Sequence, residues 1–234
     1  MQVSAFIYGL SGVIVSLNTI LIGIRFLVRY RSIHILTNLT FGVGFVLLSA
    51  AWWPPVIEFM GLAISPWLLR RIGTLLFIPG MWIICYGINR IFGYTILLDF
   101  LVFLLGIPLY IIVLFWAELY VYIVNIGGLY AIKYSLLCSI LLLMNILFLI
   151  WHVGIRFIRY GLPEKDKIGK IKALFTGTGF VIWGCMAVID STAIVPVVLL
   201  IDRCGILIAQ YIVLLGQLWP NVVIRVFTHL THRD

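Results

Sequence analysis

The chain has 234 residues, of which 64% are hydrophobic and only 10% charged, far from the roughly 25% charged residues of soluble domains, and this excludes an ordinary soluble fold. A formal net charge of +8 would suit nucleic acid, but Lys and Arg gather on no segment long enough to fold outside a bilayer, so no nucleic-acid partner is expected. The expectation is an all-α, polytopic membrane protein forming one domain over residues 1–234, because a spanning helix needs about 20 mostly apolar residues.

Seven such stretches follow in order: 3–28, 35–60, 67–91, 95–118, 129–155, 172–192 and 196–226. The first lacks a basic leader and carries its positive residues after the apolar run, so it is read as a retained helix and not a signal peptide. The second contains Gly42 and Gly44 and reaches Pro54-Pro55 and Glu58, where the prolines predict an end or a bend. Arg70 and Arg71 open the third. Pro79 and Pro108 predict kinks in the third and fourth, since each removes a backbone hydrogen bond. Trp52, Trp53, Trp67, Trp116, Tyr120, Tyr122 and Tyr130 predict an aromatic belt at the outer boundary. The fifth stretch ends at His152 and Arg156. A short segment of mixed charge, residues 161–172, then leads to the sixth; it reads as a solvated loop near lipid headgroups or as a docking surface for a cytoplasmic or membrane protein partner.

Basic residues sort by side. Arg25, Arg29, Arg31, Arg90, Arg156, Arg159, Lys165, Lys167, Lys170, Lys172, Arg225 and Arg233 fall where alternating helices would share one face, and only Arg70, Arg71, Lys133 and Arg203 fall on the other. The positive-inside rule then predicts an outside N-terminus and a cytoplasmic C-terminus, in a multi-pass protein of a cell membrane. Cys85, Cys138, Cys185 and Cys204 are dispersed and suggest neither a disulfide framework nor a metal site.

The chain also repeats itself. Ile24-Arg25-Phe26-Leu27-Val28-Arg29-Tyr30 returns as Ile155-Arg156-Phe157-Ile158-Arg159-Tyr160, and Gly42-Val43-Gly44-Phe45-Val46 returns as Gly177-Thr178-Gly179-Phe180-Val181. Glu58, Arg71 and Gly73 are echoed at one constant offset by Asp190, Arg203 and Gly205. These echoes predict a 3+1+3 plan: repeat one over 1–92, a linker helix within 93–127 and repeat two over 128–234, the extra crossing being what makes the second copy parallel to the first. In architecture this resembles the SWEET and PQ-loop transporters and, more distantly, the microbial rhodopsins. The resemblance is one of topology alone. No Pro-Gln pair occurs in the first or fifth helix, and the seventh has no Lys on which a retinal Schiff base could form.

Charges at membrane depth need a partner or a wet cavity, and four of them form a pattern. Glu58 and Asp190 close the second and sixth helices on the outer side; Arg71 and Arg203 open the third and seventh there, each acid preceding its Arg by the same interval. Two readings follow: a pair of salt bridges pinning helix ends, or two guanidinium forks holding a carboxylate or another anion. Arg203, Gln210, Gln217 and Asn221 keep to one face of the seventh helix, as do Thr176, Trp183 and Asp190 on the sixth. The candidate ligand site is therefore Glu58, Arg71, Trp183, Asp190, Arg203 and Gln210, with interhelical glue as the alternative for the polar stripe. No catalytic motif is recognisable, and no enzyme activity, cofactor or metal is expected. The functional expectation is a receptor-like or sensory seven-helix module with a small-molecule ligand; the alternatives are a transporter of small solutes, anions among them, and an accessory subunit of a membrane complex.

Overall fold

The structure, a computed structural model, describes residues 3–62, 65–93, 96–115, 121–126, 129–192, 195–220 and 222–223. Its helices are α1 (Val3–Ile33), α2 (Leu36–Leu48), α3 (Trp53–Phe59), α4 (Pro66–Ile91), α5 (Ile96–Phe115), α6 (Leu136–Leu149), α7 (Arg156–Gly161), α8 (Lys167–Thr192) and α9 (Pro196–Leu218). Among the described residues six spans are long and apolar enough to cross a membrane: Phe6–Ile33, Leu36–Ile57, Arg71–Ile91, Leu136–Gly161, Lys167–Asp190 and Val197–Leu218. The 20-residue α5 is a seventh helix between the third and fourth of these. This is the architecture of a multi-pass helical membrane protein.

Element boundaries follow local chemistry. α1 runs on past its apolar stretch to Ile33 and stops at His34, which takes a left-handed backbone (φ 47°) and returns its N–H to the Tyr30 carbonyl at 2.7 Å. The second span is broken where the prolines require it: a 3₁₀ turn, Ser49–Trp52, separates α2 from α3, and Pro54 and Pro55 sit in the first turn of α3, where absent N–H groups are tolerated. α4 and α5 continue as helix through Pro79 and Pro108. α8 begins at Lys167, before the expected Lys172, because Asp166 Oδ2 accepts the Gly169 N–H at 2.7 Å and caps the helix. α9 ends at Leu218, since Trp219 precedes Pro220 and is held out of the helical region; residues 220 and 222–223 beyond it are helical again, and 224–226 lie outside the described residues.

Residues 129–134, expected to open the fifth helix, instead form a strand. β1 (Val121–Ile126) and β2 (Leu129–Tyr134) pair antiparallel, with Val121 opposite Tyr134, and β2 packs on α3, α4, α6 and α8. Between α6 and α7 the helix widens into a π turn, Ile150–Ile155.

The spans close into a ring. α1 packs on α2, α3 and α9; α2 on α4; α4 on α5; α5 on α6; α6 and α7 on α8; and α8 on α9. Helix ends rich in Arg and Lys share one level, since Arg29 meets the end of α9, Phe92 beyond α4 meets Phe157 and Tyr160 of α7, and Gly161 meets Ala173 at the start of α8. At the centre Phe41 and Phe45 of α2, backed by Phe26 of α1, pack against Phe180 and Trp183 of α8, with Phe45 and Trp183 centroids 5.3 Å apart. Trp52, assigned above to the outer belt, is buried in this core. The Trp116, Tyr120, Tyr122 and Tyr130 side chains lie outside the described residues, as does that of Trp67.

Glycines set the closest approaches. A Cβ on Gly23 would stand 2.8 Å from the Gly42 carbonyl, and one on Gly154 would stand 3.1 Å from the Gly177 carbonyl; Gly44 meets Ile84 and the Gly80 carbonyl as Gly179 meets Val213 and the Ala209 carbonyl. Without a hydrophobic drive in lipid, such backbone contact supplies much of the packing attraction. Gly179→Val is expected to destabilise the bundle by about 1–3 kcal/mol, whereas Thr178→Val, on the exposed side of the same turn, changes stability by less than about 0.5 kcal/mol; SDS titration in mixed micelles measures both.

Candidate functional site

Arg203 lies two turns into α9, on the face turned to α1. It is 2% exposed. Its Nη1 donates to the Tyr8 carbonyl at 2.7 Å and to Ser11 Oγ at 3.0 Å, and the guanidinium carbon lies 4.5 Å from the Tyr8 ring centroid. Its Nε has no hydrogen-bond acceptor and faces Asp190 Oδ1 at 3.8 Å, an ion pair near the edge of contact. Gly12 leaves room for the group, since a Cβ there would stand 3.1 Å from Nη1. Asp190, on the last turns of α8, keeps 24% of its side chain exposed. One cation thus ties together α1, α8 and α9 at the end of the bundle opposite the basic one.

Two turns further along α9, Gln210 is wholly buried. Its Oε1 accepts from Asn18 Nδ2 and its Nε2 donates to Thr19 Oγ1, both at 2.8 Å, and Thr19 in turn donates to the Val15 carbonyl at 2.6 Å. The next polar residue of the stripe, Gln217, turns to α8 and donates to Thr176 Oγ1 at 2.7 Å. A seven-residue spacing drifts about 20° per repeat on a straight helix, which carries the stripe from α1 toward α8. Asn221 lies outside the described residues.

The other expected site residues go elsewhere. Arg71 Nη2 donates to the Leu114 carbonyl and so closes the C-terminal end of α5, away from Arg203. Trp183 belongs to the central aromatic stack. The Glu58 side chain lies outside the described residues, so its pairing with Arg71 does too. The structure therefore brings together Asp190 and Arg203, places Gln210 further along the same helix, turns Arg71 to α5 and puts Trp183 in the aromatic core.

Partners that the sequence reading passed over complete the seam. Tyr8 acts through its backbone carbonyl and ring face, and Ser11 through one hydroxyl; neither carries a motif by which it could be found. Asp202, beside Arg203 in the sequence, is 1% exposed. His152 is buried on the π turn, where Nε2 pairs with Asn89 Oδ1 and the ring stacks on Phe148. Among the described residues no three His, Cys, Asp or Glu side chains converge as a metal would require.

No protein-family model matches the chain, and no curated protein and no solved structure matches it. The chemistry must be read from the geometry itself. A buried guanidinium faced by one partly exposed carboxylate can hold helices together, or can exchange that carboxylate for another.

The Gln210 network is expected to behave as coupled glue. Gln210→Met should cost about 1 kcal/mol, and Asn18→Leu in that background should cost less than it does in the wild type, because its amide partner is already gone; a double-mutant cycle by SDS titration reads the coupling.

Proposed function

We propose that the chain is a receptor-like seven-helix module whose ligand site is the Arg203–Asp190 clamp. The observation that carries this reading is the asymmetry of the clamp. Arg203 is buried with one N–H left to a 3.8 Å ion pair, while its acid partner is partly open to the outside of the bundle. A ligand carboxylate offers the guanidinium fork two oxygens in better geometry than Asp190 does. Its arrival would release α8 from α9 at one end, and the basic 161–172 segment at the other end of α8 is then the surface through which a cytoplasmic or membrane protein partner senses the change.

The same reading takes the bundle as two parallel three-helix units joined by α5, with an outside N-terminus and a cytoplasmic C-terminus in a cell membrane. Paired glycine contacts support the tandem plan, Gly23–Gly42 answering Gly154–Gly177 and Gly44–Gly80 answering Gly179–Ala209. Orientation rests on the shared level of the Arg- and Lys-bearing helix ends. The tandem plan is also what favours the second reading, a small-solute transporter with rocking halves. Against it stands the stack of Phe41, Phe45, Phe180 and Trp183, which fills the space between α2 and α8 where an axial path would run.

In reconstituted liposomes, a panel of mono- and dicarboxylic acids is expected to include compounds that raise the melting temperature of the wild type and leave Arg203→Ala unchanged, with no counterflow of the labelled compounds. Counterflow that vanishes in Arg203→Ala would establish the transporter instead. Equal thermal stabilisation of wild type and variant would remove the ligand site.

A further inference from the structure

At the opposite, basic end, α1 and α9 meet again. We propose that this seam binds the phosphate of an anionic membrane phospholipid through Arg25, Arg29 and Trp219. Arg25 and Arg29 are one helical turn apart on α1, an i,i+4 pair of like charge that repels itself unless an anion lies between. Among the described residues neither has a carboxylate partner: Arg25 is exposed and lies 5.5 Å from the Trp219 ring centroid, and Arg29 Nη1 donates to the Leu218 carbonyl at 2.7 Å. That bond fixes the Arg29 fork and offsets the negative end of α9, leaving its remaining N–H donors for an acceptor outside the protein.

The surroundings select a lipid. Leu21, Ile24 and Val28 of α1 and Ile208 and Tyr211 of α9 are large apolar side chains exposed on the same two helices, a strip on which acyl chains can lie. Trp219, 38% exposed at the end of α9, has the amphipathic ring that suits headgroup depth. Arg25 stands eight residues before the end of α1, or about 12 Å along the axis, so its charge is on the membrane side of the helix end, where a phosphate is the anion within reach. Lys165, Lys167 and Lys170 at the same end are exposed on a loop and the first turn of α8; they add attraction without an aromatic platform.

The test uses the full chain in a neutral detergent, titrated with phosphatidylglycerol, phosphatidylcholine or glycerol phosphate, with native mass spectrometry to count adducts. Phosphatidylglycerol is expected to be retained and phosphatidylcholine and glycerol phosphate lost. Arg25→Gln/Arg29→Gln should lower phosphatidylglycerol affinity by about tenfold or more, while Lys165→Gln/Lys170→Gln, which removes the same charge, should change it by less than about twofold. Because Arg29 also holds α9, Trp219→Leu serves as the second variant; it keeps both cations and should weaken retention severalfold. An equal loss in the Lys variant would show diffuse attraction only, equal retention of phosphatidylcholine would show no headgroup site, and full competition by glycerol phosphate would show a free-phosphate site; each overturns the proposal.

Discussion

A guanidinium carried into an apolar span must find its acceptors within the protein, and Arg203 finds them on the first helix of the chain. The Tyr8 carbonyl, the Ser11 hydroxyl and the Tyr8 ring are all on α1, so solvation of one cation on α9 requires α9 to lie against α1. Further contacts depend on that meeting. Gln210 reaches Asn18 and Thr19 only when α9 lies along α1, and Arg29 reaches the end of α9 only at the same register. The ring of helices is thereby closed by polar groups, while its centre is closed by aromatic ones.

This division of labour bears on function. Aromatic stacking at the centre, together with glycine contacts that bring backbones to van der Waals distance, makes the α2–α8 core a region in which any shift must break several contacts at once. The α1–α9 seam is held by a handful of hydrogen bonds, with one loose ion pair from Arg203 to α8 beside it, and it is there that an outside group would compete with the protein's own. A ligand of the proposed kind at Asp190 and Arg203 would have α8, a continuous 26-residue helix, along which to act on the opposite end.

Much of the fold was legible because hydropathy and proline position are local. Spans appeared where the apolar runs are, and the second broke near Pro54-Pro55. The errors have local causes too. Val121–Ile126 and Leu129–Tyr134 are runs rich in Val, Ile and Tyr flanking Gly127-Gly128, a two-residue hairpin signature, yet their hydropathy absorbed the second run into a helix. Asp166 is a helix cap hidden in a segment that reads as loop.

The site was half legible. Periodicity put Arg203 and Gln210 on one face, but nothing in the sequence tells which helix that face meets, since a backbone carbonyl is an acceptor that any residue provides. The echo of Arg71 by Arg203 also misled. Contacts of the paired glycines match Gly80 with Ala209 and Ile84 with Val213, a register in which Thr74, buried on α4, stands where Arg203 stands on α9. Arg71 accordingly serves a neighbouring helix end.

The most direct test of the account is the free-energy coupling between Tyr8 and Arg203, from Tyr8→Leu, Arg203→Met and the double variant in mixed-micelle unfolding. A desolvated cation–π contact at 4.5 Å predicts a coupling of about 1–2 kcal/mol, the double variant losing less than the singles combined. Additivity within about 0.3–0.5 kcal/mol would mean that the guanidinium does not rest on the Tyr8 ring, and would contradict the α1–α9 contact on which the account depends.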